Sequence, residues 1–403
     1  MRFWGITGTN GKTTTAWILA AFVDAAPGRR CGYITTVEAF DGARRFYTGY
    51  TTPPLEQLKG IYAAMEANGC TDCVMEVSSH AIHQNRVGFG DATTFSGGAF
   101  TNLTEDHLDY HKTMEEYFRV KLSFAERIAR GAPGAPYAVC LDGGCGREML
   151  EACGRLPLRV IPVTRGGASG AEATPGYDLS SLQLVGDYNK SNVLVAAALA
   201  EAADVPGDVI QAVIPTLKPR WGRLEPVENP HVKAKVYVDF AHTPDGLEKV
   251  LSAVRGEEGR GKREEGRGNG RLWVVFGAGG DRDPMKRPLM GAACARLADR
   301  LVVTSDNPRS EEPGKIIGQI LEGVANQRAK AADGRTGCPH PAAEPVVVVE
   351  PDRRKAIELA LAQAGAEDVV VIAGKGHETT QEIKGVKHPF DDREVVRSFR
   401  AKA

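Results

Sequence analysis

Nine residues near the start of the chain, Thr7-Gly8-Thr9-Asn10-Gly11-Lys12-Thr13-Thr14-Thr15, have the composition of a phosphate cradle. They lie between an apolar run at 2–7 and a helix-like stretch at 13–25, so they form a strand-to-helix turn. Glycines in such a turn let backbone N–H groups wrap phosphate oxygens, and the helix N-terminus adds partial positive charge. Lys12 has the reach to neutralise outer phosphates, and the Thr13 hydroxyl can coordinate magnesium. Gly8, Thr9, Asn10, Gly11, Lys12, Thr13 and Thr14 are therefore the expected nucleotide-binding residues. The segment departs from the general G-x-x-x-x-G-K-[ST] pattern, because Ile6 occupies the first glycine position.

Two further segments bring acids and imidazoles to the ends of apolar strands. Met75-Glu76-Val77-Ser78-Ser79-His80 closes one, and Thr101-Asn102-Leu103-Thr104-Glu105-Asp106-His107-Leu108-Asp109-Tyr110-His111 follows another. Ligands of open α/β sheets collect at the carboxyl ends of parallel strands. A magnesium–ATP site needs hard oxygen ligands there.

Strand-like runs recur near 2–7, 72–77, 93–101, 137–141, 158–163, 236–240, 272–277, 300–304, 346–350 and 368–373. Helix-like stretches fall near 13–25, 54–67, 115–130, 190–203, 245–254, 285–298, 312–325, 352–364 and 391–401. The alternation predicts an α/β protein with parallel, doubly wound sheets. A chain of 403 residues exceeds one comfortable core. Breakers in Thr216-Leu217-Lys218-Pro219-Arg220-Trp221-Gly222-Arg223 put a boundary near 222, giving domains 1–222 and 223–403. Residues 255–271 mix charge and glycine without an apolar residue and should form a solvated, mobile loop; 329–345 are similarly polar.

Fifty Lys and Arg against 51 Asp and Glu give a net charge of −1, which argues against nucleic acid or a membrane surface as partner. No apolar run approaches the ~18 residues that span a bilayer. The N-terminus lacks the features of a signal peptide, so a cytoplasmic enzyme is expected. Of eight cysteines, Cys70 and Cys73 with Cys140 and Cys145 could assemble a thiolate zinc site, but Cys73 sits in an apolar run, which favours reduced, buried thiols.

The variant Thr7-Gly8-Thr9-Asn10-Gly11-Lys12-Thr13-Thr14 resembles the ATP loop of the Mur ligase family and of folylpolyglutamate synthetases. Residues 3 to about 396 carry further Mur-like motifs in family order. The resemblance implies a P-loop ATPase central domain and a C-terminal Rossmann-like domain that binds the amino acid. It implies Glu76 and His107 as magnesium-site residues. It matches Lys121, in Tyr117-Phe118-Arg119-Val120-Lys121-Leu122, to a lysine that carbon dioxide converts into an anionic carbamate, and thus a metal ligand. Lys12, Glu76, His107 and Lys121 are the implied catalytic set. Asn192, Arg223, Asp239 and His242 match positions near the nucleotide.

Four elements resemble the branch that adds the third residue of the peptidoglycan stem peptide. Thr51, Thr52, Ser78, Gln84 and Arg86 match positions that hold the muramyl-dipeptide nucleotide. Arg282, then Asp306-Asn307-Pro308-Arg309, then Gly374 and Glu378 match its meso-diaminopimelate pocket. The implied reaction has ATP phosphorylate a carboxylate, after which an amine attacks the acyl phosphate. Family members carry another domain ahead of the phosphate loop, whereas this sequence reaches the loop at residue 7. The expectation is that the uridine-gripping domain is absent. Three alternatives follow: an acceptor lacking UDP, a partner chain that supplies the domain, or a folylpolyglutamate synthetase.

Overall fold

The computed structural model describes residues 1–87, 94–166, 176–257, 270–332 and 345–400. The chain divides into two compact units, Met1–Lys218 and Pro219–Ala403. The division falls before Pro219 rather than at 222.

The first unit opens with β1 (Arg2–Thr7), α1 (Lys12–Ala25) and β2 (Cys31–Ile34). A short hairpin, β3 (Ala39–Phe40) and β4 (Arg45–Phe46), precedes α2 (Leu55–Ala67), β5 (Asp72–Glu76) and α3 (Ser79–His83). Next come β6 (Gly97–Phe100), α4 (Leu108–His111), α5 (Met114–Gly131), β7 (Pro136–Cys140), α6 (Gly146–Cys153) and β8 (Arg159–Val163). Helices α7 (Asp187–Ala202) and α8 (Gly207–Val213) complete it. The sheet order is β4-β3-β2-β5-β1-β6-β7-β8, parallel from β2 to β8 with the hairpin antiparallel at one edge. Strands β5 and β6 are buried throughout, as parallel strands covered by helices on both faces must be.

Helix α5 starts at a threonine N-cap. The Thr113 hydroxyl accepts the Glu116 N–H at 3.1 Å. Its buried residues Tyr117, Lys121, Phe124, Ala125 and Ile128 recur at helical spacing along one face. Lys121 thus occupies a core position, 1% exposed. Helix α7 buries Ser191 to Ala200 without a break, because its alanines let it pack closely against its neighbours.

The second unit contains β9 (Glu225–Pro226), β10 (Lys235–Asp239), α9 (Pro244–Glu257), β11 (Leu272–Phe276), α10 (Lys286–Leu297) and β12 (Arg300–Val303). It continues through α11 (Pro313–Ala332), β13 (Val346–Val349), α12 (Arg353–Gln363) and β14 (Val369–Ala373). A two-stranded hairpin, β15 (Thr380–Ile383) and β16 (Val386–Pro389), and α13 (Asp392–Ser398) close it. The order β13-β12-β11-β14-β10-β9 is parallel except for the antiparallel edge strand β9. Valine- and isoleucine-rich β11 and β14 form its fully buried centre; each such side chain contributes about 1.5–3 kcal/mol of transfer free energy.

Both units are α/β with the expected parallel sheets. Helix α9 extends through Glu257 and α11 through Ala332, so the polar segments begin later than their composition suggests. Residues 258–269 and 333–344 of those segments, and Cys338, lie outside the described residues. Strands β2, β3 and β4, the β15–β16 hairpin, and helices α3, α6 and α8 escaped the periodicity because each is short. Cys31, Cys70, Cys73, Cys140, Cys153 and Cys294 are free and buried, and Cys145 is free and part-buried. Burial pushes the Cys73 thiol well up, against the thiolate a metal or redox site requires. Among the described residues, no helix is long and apolar enough to cross a membrane.

Candidate functional site

In the first unit, four adjacent strands deliver chemistry to one edge of the sheet. Strand β2 leads to Thr36, β5 ends in Glu76, β1 enters the phosphate loop, and β6 leads to Thr101 and Asn102. Because all four are parallel, their carboxyl ends lie side by side, which is where α/β sheets bind ligands.

The loop is held from both sides. Thr9 N–H donates to Asn102 O at 2.9 Å, and Asn10 N–H to Asn102 Oδ1 at 2.9 Å. Asn10 O accepts from Thr101 Oγ1 at 2.6 Å and Asn102 Nδ2 at 3.0 Å. Gly8 has φ 151 and Gly11 φ 85, and a side chain at either would collide with Thr101 or Asn192 respectively. Asn192, fixed by Asn189 at 3.1 Å and by Thr15 at 3.3 Å, therefore backs the loop from α7. Thr13 is buried and Thr14 half-buried at the start of α1.

Two lysine side chains converge here. Lys12 Nζ donates to Gly8 O at 3.0 Å and Thr9 O at 2.8 Å, and Lys121 Nζ donates to Gly8 O at 2.9 Å. Burial, reinforced by Lys12, pushes the Lys121 amine well below its ordinary range, although Asp106 opposes the shift. His107, at φ 57, lies 5.0 Å from His80 and 6.1 Å from Tyr117 between ring centroids. Burial pushes its imidazole down to about 3 against the pull of Asp106, with His80, Lys12 and Lys121 acting in the same direction as burial. The Tyr117 hydroxyl meets Thr9 Oγ1 at 3.2 Å, tying α5 to the loop.

Glu76 is 1% exposed, and both carboxylate oxygens accept from Thr36: the backbone N–H at 2.9 Å and the hydroxyl at 3.0 Å. Both donors are neutral, and among the described residues no Lys, Arg or His forms an ion pair with Glu76. Next to it, Thr52 Oγ1 donates to Glu76 O at 2.8 Å and accepts Ser78 N–H at 3.0 Å. Thr51 Oγ1 lies 3.0 Å from Thr36 Oγ1, whose own proton goes to Glu76. Arg86 donates to Thr52 O at 3.1 Å and to Gln84 Oε1. The structure thus brings Thr51, Thr52, Ser78, Gln84 and Arg86 together beside Glu76. Thr36, which links the groups, was missed; a lone Thr-Thr pair after a short strand carries no sequence signal.

No group of three or more His, Cys, Asp or Glu able to hold a metal occurs among the described residues. A magnesium ion bound with a nucleotide takes one or two carboxylates and completes its shell with phosphate oxygens and water. Glu76 and the Thr13 hydroxyl are oxygen donors of the types that arrangement takes.

In the second unit, Asp239 at the end of β10 accepts N–H groups of Leu224 and Ala241, both at 2.6 Å. Burial raises its carboxyl, opposed by Arg223 and those two N–H groups. Arg223 stacks on Phe240 at 4.5 Å, and Phe240 also contacts His242 and His377. Arg223, Asp239 and His242 therefore share one corner.

The carboxyl ends of β11, β12 and β14 build a polar pocket. Asn307 Nδ2 donates to Glu378 Oε2 at 2.8 Å, and Lys375 Nζ donates to the same oxygen at 2.8 Å and to Asn307 Oδ1 at 3.1 Å. Arg309 Nη1 donates to Gly280 O at 2.6 Å, while its Nε lies 3.5 Å from Glu382. Asp306 O accepts from Gln381 at 2.7 Å. Pro308 O abuts Gly280, and Gly374 N–H donates to Asp239 O at 3.0 Å. Arg282 stays at the rim, with an exposed bond to Asp281 O at 3.4 Å. Buried Arg353 donates to Ala373 O at 3.0 Å and Ser305 O at 3.4 Å and pairs with Asp392 at 2.7 Å, joining the ends of β12 and β14 from below. Arg353, Lys375 and Glu382 were not foreseen; buried charges look like surface charges in a sequence.

Comparison with known proteins adds a relationship to this geometry. Residues 6–200 match the Mur ligase middle domain, and residues 222–376 match the Mur ligase, glutamate ligase domain. The chain is 37% identical over 405 residues to a UDP-N-acetylmuramoyl-L-alanyl-D-glutamate--2,6-diaminopimelate ligase of Phocaeicola vulgatus, covering 98% of this chain and 77% of that protein. A Neisseria meningitidis protein of the same name is 38% identical over 411 residues, again covering 98% and 77%. A solved structure of a ligase with that name matches with TM-score 0.57 at 29% identity, covering 99% and 78%. The Mycobacterium tuberculosis folylpolyglutamate synthase, solved with ADP and AMPPCP, matches in fold with TM-score 0.62 at 20% identity, covering 93% and 88%.

Proposed function

Because this chain belongs to the Mur ligase family, we propose that it joins meso-diaminopimelate to UDP-N-acetylmuramoyl-L-alanyl-D-glutamate in an ATP-driven, ADP-forming ligation of peptidoglycan synthesis. The observation that carries the substrate assignment is the relatives' shared name at 34–38% identity across nearly the whole chain. The pocket chemistry agrees with it. Arg309 and the rim residue Arg282 suit a carboxylate, and Glu378 beside Asn307 suits an ammonium.

The first unit is the ATP-binding domain in this reading, and the second binds the amino acid. Backbone amides from Gly8 to Thr14 cradle the phosphates, and Lys12 leaves the Gly8 and Thr9 carbonyls to neutralise the transferring phosphoryl. Thr51, Thr52, Ser78, Gln84 and Arg86 orient the acceptor so that its carboxylate meets the γ-phosphate. Asn192, which backs the loop, serves the nucleotide within the first unit, while Arg223, Asp239 and His242 share a corner of the second. Magnesium, held by Glu76 and Thr13 with His107 nearby, would supply charge neutralisation at the phosphates. Lys121 is suited to its carbamate role because a buried amine pushed toward neutrality is the form that reacts with carbon dioxide. The product of the first step is an acyl phosphate. The diaminopimelate amine then attacks its carbon, giving a tetrahedral intermediate that expels phosphate.

The test combines protein, ATP, magnesium, the muramyl-dipeptide nucleotide and meso-diaminopimelate. ADP release should require both substrates. Release that ignores diaminopimelate would refute the assignment.

A further inference from the structure

Lys375 is fully buried, yet its two hydrogen-bond partners are residues of the proposed amino-acid pocket. An ammonium can only donate, so Lys375 obliges Asn307 to present its carbonyl oxygen. That oxygen also accepts the Glu382 backbone N–H at 2.9 Å, which fixes the amide from a second side. Asn307 Nδ2 is thereby turned to Glu378. Glu378 Oε2 receives two donors, Asn307 Nδ2 and Lys375 Nζ, each at 2.8 Å. Its side chain remains 32% exposed, and among the described residues both of these donors go to Oε2, so Oε1 can accept from a ligand. The charges also balance: Lys375 offsets Glu378, and Glu382 lies 3.5 Å from Arg309.

We infer that Lys375 is a positioning and specificity-determining residue: it locks Asn307 and Glu378 so that the pocket offers one carboxylate oxygen to a side-chain ammonium, and it keeps the pocket's charge suited to a zwitterionic far end over a purely cationic one. This rests on the reading of the pocket as the diaminopimelate site. Removing the buried ammonium leaves Glu378 unneutralised. A lysine substrate, whose far end is only cationic, then gains relative to diaminopimelate.

The test measures kcat/KM for meso-diaminopimelate and for L-lysine, together with the KM for ATP, in the full chain and in its Lys375→Met and Lys375→Arg variants. Lys375→Met should raise the diaminopimelate KM by roughly tenfold, because it leaves the part-exposed Glu378 carboxylate without its ammonium partner. The diaminopimelate-to-lysine ratio of kcat/KM should fall by about tenfold while the ATP KM stays put. Lys375→Arg keeps the charge but not the compact donor geometry, so its diaminopimelate KM should rise while the ratio stays near that of the native chain. An unmoved ratio in folded Lys375→Met overturns the inference. If that variant does not fold, Lys375→Arg decides: a rise confined to the diaminopimelate KM supports the role, and diaminopimelate and ATP KM values moving together overturn it. A native chain without diaminopimelate-dependent ADP release instead defeats the reading of the pocket itself.

Discussion

At the scale of single residues, the phosphate loop concentrates the most chemistry in the fewest positions. Lys12 is the group there that can move from loop carbonyls to a phosphoryl carrying developing charge. Lys12→Ala should lower the rate of ADP formation by about 10²–10³-fold, measured by coupled assay, with little change in melting temperature. Gly11 is constrained differently. Its φ of 85 and the close approach of Asn192 leave no room for a methyl group. Gly11→Ala should abolish the rise in melting temperature that ATP confers on the native chain, because the loop must shift to admit the side chain. A retained shift in that variant would mean that the loop is not the nucleotide site.

At the scale of elements, the residues proposed to hold the acceptor depend on how α3 ends. Arg127 of α5 reaches the carbonyls of Ile82 at 2.8 Å and Val87 at 3.1 Å and the Asn85 side chain at 3.1 Å. It adds a donor to Ile82 O, which already takes the Asn85 N–H, and reaches across to Val87 O, holding the turn that carries Gln84 and Arg86. Arg127→Met should lower stability by about 1–3 kcal/mol in urea denaturation. An unchanged midpoint would show that the turn does not rely on this contact. In the second unit, Arg287 is 1% exposed and binds Glu311 through two bonds, at 2.9 and 2.7 Å. Those bonds pull the Glu311 carboxyl down from 4.5 to about 2. A carboxyl depressed by folding contributes stability that is present above its unfolded value and is lost as pH falls toward the folded one. Glu311→Gln should therefore be less stable than the native chain at pH 7, and the gap should shrink between pH 4.5 and about 2. Denaturation midpoints at several pH values would show it.

At the scale of the whole molecule, each unit places its functional residues at the carboxyl ends of parallel strands, and buried charges beneath the loops keep them there. Arg353 and Asp392 are both fully buried. Arg353→Met should destabilise the protein by about 3–5 kcal/mol, read from urea denaturation, because it strands the Asp392 carboxylate. The sequence alone determined the α/β class and carried the glycine-rich loop and the motif residues proposed for the site, since long apolar runs and glycine-rich turns are local signals that neighbouring residues state together. Short strands such as Cys31–Ile34 and the hairpin that holds Asn307 were illegible, because a few residues carry no period. Only the tertiary structure decided that Thr36 serves Glu76, that Lys121 lies at a core position beside Lys12, and that Lys375 is a buried partner of Glu378. These facts arise from strand order and burial, which join residues far apart in the chain, and a charged side chain's energy depends on what surrounds it rather than on what precedes it.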